Sequence, residues 1–286
     1  MVVDYILRVS VDKINDNGLE IQPRKSSRHP AVYLTDTDFA DDIALISGSL
    51  SNAQNLLRSM ESAANSVGLH LNESKTEYVN LCKNDATVIK TLNGTILKCK
   101  EDYKYLGSYI SSSEKDFNVR KGMAWSASNK LHKIWKSGLN VLIKVNIFRS
   151  LIEPILLYGS ETWTFSKKAE KRLDGCYTRL LMRAKNLSWK GHPTKSLIYG
   201  NLPSVSSVVK SRRVQFAGHC QRASSEVISS LILWKPQSIG RRSRKLTFLD
   251  TICRDTGLAA EDLKTAMQDR NAWREIVQAM ISTAVE

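Results

Sequence analysis

The spacing of the hydrophobic residues changes near residue 110, and this change constrains the fold more than any other feature of the chain. Before it, short apolar runs such as 77–82 and 103–110 predict strands, and residues 53–67 recur at helical spacing. After it, the helical spacing continues almost to the carboxyl terminus. The sequence therefore predicts an α+β fold, in which a short antiparallel sheet with a helix precedes a mostly α-helical remainder.

Turn and cap residues refine the first part. Gly68 follows the apolar stripe of 53–67 and predicts the end of that helix. Asn93-Gly94 lies within 88–98 and predicts a tight turn, which makes this segment a β-hairpin.

The apolar spacing of the helical part predicts two packed helices, 117–135 and 141–155, and Pro154 is expected to kink the second. Further helices are predicted at 167–187, 204–222, 245–256 and 260–282. All six tryptophans follow position 124. In this basic helical region they could stack on nucleic-acid bases, whereas a tryptophan on an amphipathic helix more often lies in the core.

Adjacent carboxylates mark the alternating stretch 31–47. Val32, Leu34, Ile43 and Leu45 predict two short strands of a buried hairpin, with Asp41-Asp42 at the turn between them. Two carboxylates held this close repel each other unless a cation neutralises them, and Mg²⁺ or Mn²⁺ prefers such oxygen ligands. The alternative is a solvated acidic turn without a ligand.

Charge is divided unevenly along the chain. Residues 1–110 hold 12 Lys and Arg against 14 Asp and Glu, a net −2, whereas 111–286 hold 30 against 14, a net +16. A strongly basic segment is typical of proteins that bind a polyanion, although it also occurs as general surface basicity. Its densest cationic groups, which we predict to bind nucleic-acid phosphates unless they form solvated charged faces, are Lys210, Arg212, Arg213, Arg222, Arg241, Arg242, Arg244 and Lys245.

The order of several motifs resembles one protein family. The string Leu34-Thr-Asp-Thr-Asp-Phe-Ala-Asp-Asp-Ile-Ala-Leu-Ile-Ser47 is similar to the metal-binding motif in reverse transcriptases of non-LTR (LINE-type) retrotransposons. Val67–Thr76 resembles the next motif of that family, and Tyr103–Ile110 resembles its primer-grip strand. Segments similar to those behind the polymerase core follow at 154–163, 212–219 and 269–273, so the resemblance covers nearly the whole chain.

This resemblance implies a role for each segment. Residues 1–110 would be part of a polymerase palm, 111–165 thumb-like helices, and 166–286 a basic helical carboxyl-terminal region. Asp41 and Asp42 would bind Mg²⁺ or Mn²⁺, and Lys75 would protonate the leaving pyrophosphate. Tyr105, Leu106 and Gly107 would position the primer end. The implied partners are an RNA template and a DNA primer, and the parent activity is RNA-directed DNA synthesis.

One expected ligand has no counterpart in the sequence. Two-metal nucleotidyl transfer requires carboxylates from more than one strand, and the family supplies a further aspartate from an upstream strand. Asp4 lies in a helix-like stripe, and Asp12 and Asp16 lie in a polar turn. We therefore expect an incomplete metal site and no activity of this chain alone. The alternatives are a non-catalytic nucleic-acid-binding protein and an inert retroelement relic.

Other site classes find little support. Five cysteines at irregular spacing argue against a disulfide framework. The sequence contains no CxxC pair, and the spacing of Cys176, His192, His219 and Cys220 does not match a zinc site. No apolar run approaches the roughly 20 residues that span a bilayer. We expect an intracellular protein, nuclear or cytoplasmic, that is neither secreted nor membrane-bound, and the sequence leaves its oligomeric state open.

Overall fold

The computed structural model describes residues 2–11, 18–24, 26–28, 30–80, 88–234 and 246–282. The chain folds into two compact units, 1–111 and 112–286, which we call the N-terminal and C-terminal units. Short strands and two helices form the N-terminal unit, and helices form the C-terminal unit. The predicted α+β class is therefore confirmed, whereas the assignment of segments as palm and thumb stays a prediction.

The N-terminal unit contains two helices and eight short strands in its described part. They are α1 Val2–Val11, β1 Leu19–Gln22, β2 Val32–Leu34, β3 Asp36–Phe39, β4 Asp42–Leu45, α2 Leu50–Ser66, β5 Glu77–Val79, β6 Lys98–Lys100, β7 Lys104–Tyr105 and β8 Ser108–Tyr109.

Strand pairing in this unit differs from the prediction. The strands form four separate pairs: β1 with β2, β3 with β4 and β7 with β8 are antiparallel, whereas β5 with β6 is parallel. Val32 and Leu34 pair with β1, whereas Ile43 and Leu45 pair with Asp38 and Asp36 of β3. The predicted 88–98 hairpin is present but short: the Gly94 amide closes its turn by bonding to the Thr91 carbonyl, and an antiparallel bridge joins Lys90 to Ile96.

The core of the N-terminal unit lies between α1 and α2, where Ile6 meets Leu57 and Met60. Ser49 caps α2 by accepting a hydrogen bond from the amide of Asn52. The helix ends at Ser66, and Gly68 follows two residues later with φ of +78°, the left-handed conformation that closes a helix, so the predicted helix end is confirmed.

The C-terminal unit is built from eleven helices in its described part. They are α3 Ser113–Lys130, α4 His132–Lys136, α5 Val141–Ile147, α6 Glu153–Leu156, α7 Lys167–Ala184, α8 Lys195–Tyr199, α9 Val205–Gln221, α10 Glu226–Ile232, α11 Phe248–Thr256, α12 Ala260–Gln268 and α13 Arg270–Ser282. Between α5 and α6 the chain forms a π-helical turn, Phe148–Ile152, which directly precedes the helix that contains Pro154.

Two hydrophobic clusters form the core of the C-terminal unit. The first joins α3, α6, α7 and the start of α9, and its aromatic centre packs Phe117 edge-on against Trp163 and Phe165. The second joins the end of α9 to α11, α12 and α13, with Trp273 buried at its centre. Across the described ranges, every helix is too short or too polar to cross a bilayer.

Candidate functional site

The acidic pair lies at the end of the hairpin β3–β4. The register pairs Asp36 with Leu45 and Phe39 with Asp42, so the turn consists of Ala40 and Asp41 alone. Ala40 has φ of +58°, a left-handed conformation that costs a non-glycine residue roughly 1–2 kcal/mol. The predicted turn at the acidic pair is thus present, on a strained backbone.

The hairpin end is exposed, which corrects the expectation of a buried hairpin. Asp41 and Asp42 are both exposed, and the neighbouring Phe39 is 64% exposed. Only the base of the hairpin is covered, where Ile43 and Leu45 contact the core beside α2. The two carboxylates are consequently accessible to ions and to water.

Strand alternation gives the hairpin two different faces. Since side chains alternate along a strand, Ile43 and Leu45 share one face with Asp36 and Asp38, and that face turns toward the core. Thr37, Phe39 and Asp42 share the opposite face. Any partner of Asp42 must therefore approach from the side away from α2.

The predicted primer-grip residues approach this second face. Tyr105 ends β7, and Leu106 and Gly107 form the two-residue turn into β8, with φ of 46° and 86°. The Tyr105 hydroxyl accepts a hydrogen bond from the Thr37 hydroxyl at 3.3 Å. It donates to the Thr37 carbonyl at 3.3 Å and lies 3.4 Å from the Asp42 carbonyl. The β7–β8 hairpin thus contacts the β3–β4 hairpin, although about sixty residues separate Tyr105 from Asp42 in the chain.

Tyr103 extends this contact electrostatically. Its ring stacks on that of Tyr105 with centroids 6.5 Å apart. Partial burial raises the pKa of Tyr103, and the negative charge of Asp42 raises that pKa further. The charge of Asp42 therefore acts on the Tyr103 hydroxyl.

The acidic pair has the donor chemistry that a hard divalent cation requires, but few ligands. Asp41 and Asp42 supply adjacent carboxylates, and their exposure leaves room for water to complete the coordination of Mg²⁺ or Mn²⁺. Nowhere in the described ranges do three or more His, Cys, Asp or Glu side chains group closely enough to hold a metal ion. The residues fit one ion held by two carboxylates and not a two-metal centre.

Lys75 lies in the turn that precedes β5, not on a strand. Its backbone amide bonds to Asn72, and its side chain is exposed. The same turn carries Glu73, which accepts hydrogen bonds from the side chains of Thr91, Asn93 and Thr95 at 2.7–3.1 Å. These bonds lower the pKa of Glu73, and the bond from Thr95 has the largest effect. The motif pattern indicates Lys75 but gives no signal for Glu73, whose partners lie 18–22 residues away in the chain.

The predicted cationic group on α9 is largely engaged within the protein. Lys210 lies 3.6 Å from a carboxylate oxygen of Glu170, and Arg212 lies 3.8 Å from one of Glu153. Arg222 donates to the Met267 carbonyl at the end of α12. Lys210 and Arg212 remain 35% and 41% exposed, so a phosphate could still reach them.

Arg213 corrects the prediction outright. Its side chain is 1% exposed and forms an ion pair with Asp255, which is also 1% exposed. Burial lowers the pKa of Arg213, and the charge of Asp255 opposes that shift. Arg213 is a core residue that joins α9 to α11 and cannot serve as a surface ligand for phosphate.

The second cationic group, Arg241, Arg242, Arg244 and Lys245, lies outside the described residues, as do Asp12 and Asp16. Asp4 is described and forms an ion pair with Arg8 on α1.

Two of the motifs behind the predicted thumb contact each other: Gly218 of α9 lies under the ring of Trp273 of α13. A β-carbon at Gly218 would lie closer than 3.0 Å to that indole. The 212–219 and 269–273 segments thus form one packing contact.

Comparison with known proteins gives one informative similarity. A Caenorhabditis elegans protein described as an uncharacterized transposon-derived protein, F52C9.6, is 27% identical over 266 residues, covering 86% of this chain and 95% of that protein. No protein-family model matches the chain. No solved structure matches it either.

Proposed function

We propose that this protein derives from a transposon. The similarity to the C. elegans transposon-derived protein extends over most of both chains, so it includes both the N-terminal and the C-terminal unit. A common origin of the whole chain accounts for this coverage better than a shared single motif.

The proposed source is the reverse transcriptase of a non-LTR retrotransposon, whose reaction is RNA-directed DNA synthesis on an RNA template from a DNA primer. The observation that supports this most is the contact of the Tyr105 hydroxyl with Thr37 and with the Asp42 carbonyl. A polymerase must hold its primer end beside its metal ions. The two hairpins with the expected motifs lie together, although neither motif predicts the other's position.

In this proposal Asp41 and Asp42 bind one Mg²⁺ or Mn²⁺, and the Tyr105-Leu106-Gly107 turn receives the primer end. The ion would hold phosphate oxygens and lower the pKa of the attacking hydroxyl. In the part of the chain that the structure describes, only two carboxylates are available for it, so in this proposal the chain binds metal and primer without extending the primer. Lys75 keeps its proposed role as a proton donor to pyrophosphate in the parent enzyme.

Metal-dependent binding of a primer–template tests the proposal. The full chain is titrated against a fluorescent DNA primer annealed to an RNA template, with Mg²⁺ and then with EDTA, and binding is followed by anisotropy. The ion bridges protein carboxylates and primer phosphates, so we expect Mg²⁺ to strengthen binding severalfold. The double variant Asp41→Asn/Asp42→Asn should lose this gain.

The hairpin itself supplies the control. Asp36→Asn/Asp38→Asn removes the same number of charges from the opposite face and should keep the response to Mg²⁺. Equal binding in Mg²⁺ and EDTA, or an equal loss in both double variants, would rule the metal site out. Robust primer extension by the wild-type chain, abolished by Asp41→Ala, would show that the site is complete.

A second candidate function is nucleic-acid binding without catalysis. It is favoured by the net charge of +16 beyond residue 110, with Lys210 and Arg212 still partly exposed on α9. Phosphate contacts release condensed counterions, so such binding must weaken as salt rises. Filter binding of RNA and DNA across a salt series tests it, and a flat salt dependence would remove the idea.

A further inference from the structure

One tryptophan of the C-terminal unit behaves unlike the others. Trp135, Trp163 and Trp273 are 1–2% exposed, and Trp125 and Trp234 are partly buried. Trp189, by contrast, is 72% exposed. The choice between core and base stacking is therefore decided for three tryptophans, and Trp189 is the candidate for stacking.

The turn that carries Trp189 is held in place by local hydrogen bonds. Ser188 accepts from the amide of Lys190 at 3.3 Å through its side chain, and from the amide of Gly191 at 3.3 Å through its carbonyl. The His192 amide donates to the Trp189 carbonyl at 3.1 Å. On the amino-terminal side Leu187 packs into the first core cluster. The indole is thus presented on an ordered turn, which reduces the entropy that binding would cost.

Two lysines lie close to this tryptophan in the chain. Lys190 and Lys195 are both exposed. The wider segment 175–225 contains no Asp or Glu and nine Lys and Arg. A negatively charged partner therefore meets no repelling carboxylate from this segment, and it gains several possible phosphate contacts.

We propose that Trp189, Lys190 and Lys195 form a binding site for single-stranded nucleic acid, in which the indole stacks on one base and the two ammonium groups contact the adjacent phosphates. The inference rests on the second candidate function and does not involve the metal-binding hairpin. Single strands are the fitting substrate, since their bases are free to leave the stack and every base offers a flat face.

An anionic membrane surface is the competing partner for an exposed tryptophan with lysines. Membrane-surface segments bury several apolar side chains together. Residues 188–196 contain no Leu, Ile, Val, Met, Phe or Tyr beside the tryptophan. A single exposed indole with lysines nearby in the chain fits a nucleic-acid strand, in which each base has phosphates on either side, better than it fits a membrane surface.

The test uses the full chain in EDTA, so that the metal site plays no part. Binding of fluorescein-labelled dT20 and rU20 is measured by anisotropy between 50 and 200 mM salt. Base stacking on an aromatic ring is worth about 1–3 kcal/mol by truncation, so Trp189→Ala should weaken binding by about 5- to 150-fold. Trp189→Phe should keep most of the affinity.

Lys190→Gln/Lys195→Gln tests the phosphate contacts. Each contact contributes about −0.7 to the slope of log K against log salt for single strands, so two lost contacts should reduce the slope by about 1.4. Leu142→Ala is the control for a lost apolar surface, because Leu142 on α5 is also 72% exposed. It should bind as the wild type does.

The outcomes are distinct. Binding by Trp189→Ala within twofold of the wild type, or equal binding of an abasic strand, would overturn the stacking site. Stronger binding to vesicles of phosphatidylserine and phosphatidylcholine than to dT20, lost in Trp189→Ala, would show a membrane site instead. Since metal is absent throughout, either failure leaves the proposed metal-binding hairpin untouched.

Discussion

Gly218→Ala is a sharp test of how the C-terminal unit is packed. Gly218 lies within α9, where an added methyl group would normally favour the helix by about 1 kcal/mol. Here the new β-carbon would lie closer than 3.0 Å to Nε1 and Cδ1 of Trp273, whereas ordinary contacts begin at 3.4 Å. The indole must move, although it is only 2% exposed.

Moving the ring has two costs. Overpacking a core position typically costs about 1–3 kcal/mol. The displaced Nε1 would also lose its 2.8 Å hydrogen bond to the Val214 carbonyl, and a buried group left without its bond costs about 1–3 kcal/mol. After the gain in helix propensity, we expect a loss of about 1–5 kcal/mol in the free energy of unfolding of the C-terminal unit.

Tryptophan fluorescence during urea unfolding measures this loss, because all six tryptophans belong to the C-terminal unit. Gly175→Ala is the matched control: Gly175 lies within α7, and its β-carbon would meet nothing within 4 Å. The control should stabilise the unit by up to about 1 kcal/mol. If Gly218→Ala proved as stable as Gly175→Ala, the packing of α9 on α13 would be wrong.

Three further predictions concern single contacts. Ala40→Gly should stabilise the N-terminal unit by up to about 1 kcal/mol in urea unfolding followed by circular dichroism, because glycine relieves the left-handed strain at φ of +58°; a loss of stability would contradict the turn geometry. Glu73 has a lowered pKa, so its contribution is present above about pH 4.5 and is lost as the pH falls through the lowered value. The stability difference between wild type and Glu73→Gln should accordingly be largest near pH 7 and vanish in acid, and a constant difference would refute the linkage. Arg213→Met should cost about 3–5 kcal/mol, because the buried Asp255 then keeps only Arg254, at 3.5 Å, as an ionic partner. Adding Asp255→Leu should recover part of that loss, and equal losses in the single and double variants would contradict the ion pair.

Local signals in the sequence were enough for some elements. The acidic turn followed from alternation on either side of Asp41, and the end of α2 followed from Gly68, because both features depend on neighbouring residues. The helical composition beyond residue 113 was equally visible, since the apolar spacing persists over many turns.

Long-range choices were not visible in the sequence. Val32 and Leu34 pair with Leu19–Gln22, a segment whose polar neighbourhood gave no strand signal. Arg213 read as a surface cation because its partner, Asp255, is 42 residues away, and no short window shows that ion pair. The contact of Tyr105 with Asp42 could not be predicted from a short window either, because 63 residues separate the two in the chain.

Trp189 is the residue that a closer reading of the sequence could have found. Its neighbours are polar or cationic, and helical apolar spacing is interrupted around Gly191-His192-Pro193. A tryptophan in such a segment has no apolar face to join. The absence of acidic residues from 175 to 225 is a second signal that composition over the whole chain conceals.

The most direct test of the account is to locate a bound Mn²⁺ ion. Paramagnetic Mn²⁺ broadens NMR signals near its site, so the amides of residues 39–43 and the fluorinated rings of Tyr103 and Tyr105 should broaden first in the wild-type chain. Asp36→Asn/Asp38→Asn should show the same broadening, and Asp41→Asn/Asp42→Asn should lose it. Broadening that is centred elsewhere, or that persists without the carboxylates of Asp41 and Asp42, would contradict the proposal that this hairpin binds the metal beside the primer-grip turn.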